Sequence, residues 1–399
     1  MATFEFLASG SVTSVQGFLA GATECGIKAS GGADLAILHS EKLCTVAGVF
    51  TTNLIKAAPV VISRRRVRSG KAQSIIVNSG CANACTGDEG IADAEEMAEL
   101  AARKLGVSAD DVLVASTGVI GVKLPIERVR RGVEKIDLRR DGGHELAKAI
   151  MTTDTFPKEV ALRVEDDLGV FTIAGVAKGA GMIHPQLATM LCFLTTDADV
   201  EAGLLQACLR RAVDVSFNMV TIDGDTSPND MVTLLANGVS GTKIGDEYSS
   251  LFTKALEEVC IYLAKCIAKD GEGATKLIEV VVEGALGIAE ARTAARTIAA
   301  SSLVKAAIHG NDPNWGRIVA ALGRSGIRVE EKRLDVYLCD TCVMKGGQPQ
   351  PFDRHRLSMG LTAEEVSIKL HLNLGSAKAV AWGCDLSEEY VTINSAYTS

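Results

Sequence analysis

A threonine hydroxyl is a weak nucleophile until something takes its proton. In the stretch "AKGAGMIHPQLATMLCFLTTDA" (Ala177–Ala198), a small, glycine-rich half broken by Pro185 runs into an apolar, β-branched half that predicts a buried strand. Thr189 sits at the join, behind the unhindered Ala188. If the Ala188–Thr189 bond opened, Thr189 would become a chain terminus, and its own α-amine, with an ordinary pKa of about 7.7–8.0, could act as the base for its hydroxyl. The glycine-rich loop would let the hydroxyl reach the Ala188 carbonyl, and the strand would hold the new terminus. By residue type alone such a pair is first a packing detail; the chemical reading needs supporting residues elsewhere.

The other familiar arrangements are missing. There is no G-x-S-x-G, H-E-x-x-H or Walker A sequence, and no G-x-G-x-x-G after a strand. Six histidines (His39, His144, His184, His309, His355, His371) carry no local motif, although His184 lies near enough in sequence to serve Thr189. Eleven cysteines, an odd number, fit reduced thiols better than a disulfide framework. Cys339-Asp-Thr-Cys342 lacks two further zinc ligands, with only His355 nearby, and follows the strand-like "LDVYLCD" rather than a redox βαβ unit. This pair reads as structural, as do Cys81 and Cys85 beside a turn.

The surrounding pattern is mixed α/β. "KLCTVAGVFTT", "AQSIIVNSG" and "DVLVASTG" predict strands and "IADAEEMAELAARKLG" a helix ending at Gly106, while "KEVALRV" and "VFTIAGVAKG" are spaced as a hairpin. After Thr189 come the strand "ATMLCFLTT", the helix "EAGLLQACLRRAVDVSF", the strand "MVTLLANG" and a long helix in "DEYSSLFTKALEEVCIYLAKCIAKDG". "TKLIEVVVEGA", "IRVEEKRLDVYLCD", "VSIKLHLNLG" and "EYVTINSA" predict further strands. The fold class is therefore α/β, a mixed two-part sandwich of strands and helices with its join near Thr189.

Length and composition agree. At 399 residues, 47% hydrophobic but only 4% aromatic, the chain can bury a large aliphatic core. A net charge of −8 argues against a nucleic-acid surface, and the basic runs "SRRRVRSG" and "RVRRG" read as solvated faces. "MATFEFLASGSVTS" shows no secretory signal and no apolar run reaches spanning length, so a cytoplasmic location and no membrane partner are expected.

Several blocks give Thr189 its company. "KGAGMIHPQLATML" resembles the self-cleavage motif of the ornithine acetyltransferase family, the bifunctional glutamate N-acetyltransferases of arginine biosynthesis. "AGVFTTN" with "KAAPV", "NSGCANACTG", "STGVIG", "IDGDTSPND", "DGEGATK", "DPNWGRI" and the terminal "NSAYTS" are similar to that family's blocks in the same order. The resemblance runs essentially end to end. Its departures are Cys81, where Asn is expected, and Pro228, where Thr is usual.

The resemblance implies a precursor of self-cleaving, N-terminal-threonine nucleophile type, cut between Ala188 and Thr189 into an alpha chain (1–188) and a beta chain (189–399) that associate as two alpha and two beta chains. It implies ping-pong transfer: Thr189 takes the acetyl group of N2-acetylornithine, ornithine leaves, and glutamate departs as N-acetylglutamate. No cofactor and no metal are implied; acetyl-CoA as a second donor stays open, because bifunctional and monofunctional relatives share these motifs. The resemblance carries the oxyanion-hole pair onto Thr117 and Gly118 of "STGVIG"; the residues by themselves read first as an ordinary strand-turn, although a strand ending in a glycine turn can aim a hydroxyl and an N–H at one oxygen. The resemblance likewise carries substrate contacts onto Thr155, Lys178, Thr189, Glu272, Asn394 and Ser399. Lys178 suits a carboxylate and Glu272 an ammonium, while Thr155, Asn394 and Ser399 offer neutral hydrogen bonds. An N-terminal-threonine amidohydrolase or aminopeptidase would share the cleavage chemistry but deliver the acyl group to water, and an uncleaved α/β binding protein would use Thr189 only for packing.

Overall fold

The computed structural model describes residues 2–167, 169–184 and 190–396. Most of their strands form two sheets. The larger has nine strands, ordered Thr3–Phe6, Lys158–Asp166, Gly169–Lys178, Leu191–Thr196, Met231–Ala236, Leu35–Phe50, Lys71–Cys81 and Val112–Val119, with Phe18–Thr23 paired beside Leu35–Phe50. The smaller has six, ordered Gln348–Pro349, Thr341–Lys345, Asp335–Leu338, Glu365–His371, Leu277–Ala285 and Ala377–Cys384.

Leu191–Thr196 and Met231–Ala236 are buried at every position because both faces of the larger sheet are covered. Their side chains alternate between two cores: Leu191, Phe193, Met231 and Leu235 face one, Cys192, Leu194, Val232 and Leu234 the other. The helix Ser249–Lys269 packs on Lys158–Asp166 and Gly169–Lys178 on one side and on Leu277–Ala285 and Ala377–Cys384 on the other, so it joins the sheets. Phe252, Leu256, Val259, Leu263 and Ile267 form its buried stripe. The helix Gly87–Leu105 stops at Gly106, as expected, where the backbone turns left-handed (φ 70°).

Two strand expectations need correction, while the mixed α/β class stands. Leu191–Thr196 and Met231–Ala236 are inserted between Gly169–Lys178 and Leu35–Phe50, so residues from both sides of Thr189 share one sheet. Strand order depends on long-range pairing, which periodicity does not encode. "EYVTINSA" forms the helix Glu388–Ala396. The Ser387 hydroxyl accepts the Tyr390 N–H (3.4 Å), and Glu388 and Glu389 occupy the first turn, where the helix dipole favours acids. In "IRVEEKRLDVYLCD" only Asp335–Leu338 is a strand, because a 3-10 turn at Glu331–Arg333 precedes it.

The basic runs are engaged within the chain. Arg66 pairs with Glu95 (2.6 Å), and Arg130 pairs with Glu96 and Glu127.

Candidate active site

The strand Val112–Val119 runs parallel to Lys71–Cys81, and their register breaks at Gly80 and Cys81. Gly118 has φ 131°, and a Cβ there would lie 2.3 Å from the Gly80 carbonyl carbon and 2.6 Å from the Cys81 nitrogen. Only glycine fits this approach. Two asparagines pin the corner. Asn78 accepts the Ser116 hydroxyl (2.6 Å) and donates to the Cys81 carbonyl (2.9 Å); Asn229 donates to the carbonyls of Ala82 (2.7 Å) and Ser116 (2.8 Å). Thr117 is thereby held nearly buried on the wall of a cleft. Cys81 is buried beside it, its thiol pushed up chiefly by burial.

The opposite wall is charged. Lys178 ends the strand Gly169–Lys178, is 3% exposed, and donates to the Thr152 hydroxyl (2.8 Å). Burial pulls its pKa down, and the Asp154 carboxylate, 3.8 Å away, works against that pull. Glu272 is fixed through its N–H on the Ala180 carbonyl (2.8 Å). Its carboxylate lies against Gly181, where a Cβ would come within 2.5 Å of it. Asn394, on the C-terminal helix, donates to Glu272 Oε2 (2.8 Å).

Thr117, Gly118, Lys178, Glu272 and Asn394, expected from sequence, all line one cleft. Thr152, Thr153, Ser227 and Asn229 line it as well and were not anticipated. "SPND" supplies two of these, and a polar residue set in a turn beside an apolar strand was the available signal. Thr155 is placed differently: its N–H and hydroxyl both donate to Asp270, and it does not line the cleft. Ala188, Thr189 and Ser399 lie outside the described residues. Met190, which follows Thr189, donates its N–H to Asp230 Oδ1 (2.9 Å), next to the cleft-lining Asn229. Asp230 is fully buried, so its pKa is pushed well above the usual carboxylate range by burial, and its Oδ2 has no well-formed hydrogen bond among the described residues.

The remaining residues named from sequence also have places. His184 shares Nδ1 with the Thr221 hydroxyl (3.2 Å), and burial, then Arg296, lower its pKa. Cys339, in the turn between Asp335–Leu338 and Thr341–Lys345, and Cys342, within the second of those strands, are free thiols. No described helix is long and apolar enough to cross a membrane.

The ArgJ family model matches residues 19–399. The chain is 52% identical over 402 residues to the arginine biosynthesis bifunctional protein ArgJ of Dehalococcoides mccartyi, covering 100% of this chain and 99% of that one. This chain belongs to the ArgJ family. The ArgJ protein of Symbiobacterium thermophilum is 51% identical, with 98% of this chain and 99% of that one aligned. A crystal structure of ArgJ from Bacillus halodurans superposes with a TM-score of 0.50 at 43% identity, covering 51% of this chain and 97% of that one. The ArgJ family is enzymatic, and the mixed α/β architecture agrees with that solved structure.

Proposed function

We propose that this ArgJ-family enzyme moves the acetyl group of N2-acetylornithine to glutamate through an ester on Thr189, after cutting its own chain between Ala188 and Thr189. The observation that supports this most is the convergence of Thr117 and Gly118 with Lys178, Glu272 and Asn394 in one cleft, beside the Asp230 that holds Met190.

In the precursor the Thr189 hydroxyl attacks the Ala188 carbonyl, and water hydrolyses the resulting ester. Thr189 gains a free α-amine and Ala188 a carboxylate. In transfer, that amine takes the hydroxyl proton as Thr189 Oγ attacks the acetyl carbon. The tetrahedral oxyanion receives hydrogen bonds from the Thr117 hydroxyl and the Gly118 N–H. The amide C–N bond breaks, the α-ammonium returns its proton to the leaving nitrogen of ornithine, and an acetyl ester remains on Thr189. The neutral amine of glutamate attacks this ester through the same oxyanion, and Thr189 Oγ departs with the proton restored to it.

Lys178 takes the carboxylate of the amino acid and Glu272, oriented by Asn394, takes an ammonium. Donor and acceptor alternate in one cleft, which is why the ping-pong order is required. The cleaved chains act as two alpha and two beta chains in the cytoplasm, without a cofactor, and the donor comparison below decides whether acetyl-CoA forms the same ester. The assay is acetyl transfer to glutamate with acetylornithine and acetyl-CoA as separate donors. Release of acetate from acetylornithine in place of N-acetylglutamate would show a hydrolase instead.

A further inference from the structure

Behind Lys178 lies a sealed ring of charge that the reaction above does not use. The Asp154 side chain is 0% exposed. Its Oδ1 accepts Lys158 Nζ (2.6 Å) and the Gly179 N–H (2.6 Å), its Oδ2 accepts the Thr152 N–H (3.0 Å), and Lys178 Nζ stands 3.8 Å from that same Oδ2. Lys158, also 0% exposed, spends a second donor on Asp270 Oδ2 (2.5 Å) and lies 5.0 Å from the centre of the Phe156 ring. Asp270 closes the ring on Thr155. Two lysines and two aspartates are thus packed together out of water, where opposite charges can offset one another.

Among the four, Lys178 alone lines the cleft. An ammonium has three donors; Lys178 gives one to Thr152 and faces Asp154, which leaves the remainder for a ligand. The charged groups that act on it are Asp154, Asp230 and Glu272, which favour the ammonium, and Lys158 and Lys28, which oppose it. Asp154 is the strongest of the favourable group.

We propose that Asp154, locked by Lys158 and the Gly179 N–H, is a positioning residue that holds the Lys178 ammonium toward the cleft as the anchor for a substrate carboxylate. The proposal rests on the reading of Lys178 given above. Without the Asp154 charge, burial is less opposed, so Lys178 loses its proton at a lower pH and the anchor fades as pH rises.

The test compares pH profiles of KM and kcat for Asp154→Asn and the wild type. The variant should raise KM for glutamate and for acetylornithine about tenfold at about pH 8, much less at about pH 6, with kcat changing less than about threefold. A KM increase of equal size at every pH indicates a structural defect and overturns the proposal. Should the variant fail to fold, the wild type still decides: ornithine, which cannot acylate the enzyme, is bound by calorimetry at about pH 7 in buffers of different ionisation enthalpy. No proton uptake is expected; uptake of about one proton per ornithine that disappears in Lys178→Met shows that Lys178 was neutral and overturns the role of Asp154. Lys178→Met is run alongside and should raise both KM values by about a hundredfold. Unchanged values would remove Lys178 from the site, and with it both the functional reading and this proposal, whereas failure of the Asp154 arms alone leaves the functional reading standing.

Discussion

The Asn394 side-chain amide donates to Glu272 Oε2 across 2.8 Å, which ties the C-terminal helix to a loop 122 residues earlier. This bond orients the carboxylate assigned to the substrate ammonium. Asn394→Ala should therefore raise KM for acetylornithine by about tenfold, as loss of one hydrogen bond to a charged group commonly does, while Glu272→Gln should cost more. Steady-state kinetics on both variants checks the order. An Asn394 variant with the larger effect would place the ammonium elsewhere.

Gly118 and Thr117 should behave as a pair. Thr117→Ala is expected to slow both self-cleavage and acetyl transfer by about 10²–10³, since each passes through an oxyanion. Gly118→Val should do at least as much, because its side chain would drive into the Gly80–Cys81 backbone. Rates of both processes by gel and by product assay decide; wild-type rates in Thr117→Ala would dismiss the oxyanion assignment.

Asp230 carries a stability cost. Its pKa is raised in the folded chain, so the native state binds more protons than the unfolded state, and stability falls as pH climbs from the ordinary carboxylate pKa of about 3.9 through the raised one. Asp230→Asn keeps an oxygen for the Met190 N–H and removes the charge. Thermal unfolding should show a midpoint higher by a few degrees at about pH 8, and by less at about pH 5. A lower midpoint at about pH 8 would mean that the carboxylate is paired.

Self-cleavage has its own test. Thr189→Ala should run as a single full-length band on a denaturing gel, whereas Thr189→Ser keeps the oxygen and loses only the methyl that restricts its rotamer, and should yield two bands. Cutting of the alanine variant at residue 188 would exclude the autocatalytic route.

Five side chains singled out by sequence line one cleft, while the groups that support them stay hidden in one dimension. Thr117, Gly118, Lys178, Glu272 and Asn394 were found through motif blocks and do meet in one cleft. Asn78, Asp154, Lys158, Asn229 and Asp270 were missed, since a buried polar residue that bonds backbone or another buried charge looks, in one dimension, like a surface residue. Thr155 shows the converse: its type suited a ligand, but Asp270 takes its hydroxyl. Most strands and helices followed from periodicity, while the insertion of Leu191–Thr196 and Met231–Ala236 among strands of the first 188 residues did not. The C-terminal segment was misread because its β-branched residues outweighed a short cap signal at Ser387.

The central claim is the acetyl ester on Thr189. Purified enzyme given acetylornithine without glutamate, then digested and analysed by mass spectrometry, should carry one acetyl group per active site on the Thr189 side-chain oxygen. That ester should be removed by glutamate or by neutral hydroxylamine, since an amide on the α-amine would be stable to both and would abolish the base. An adduct that resists both reagents, or one found on a cysteine such as Cys192, would contradict the account.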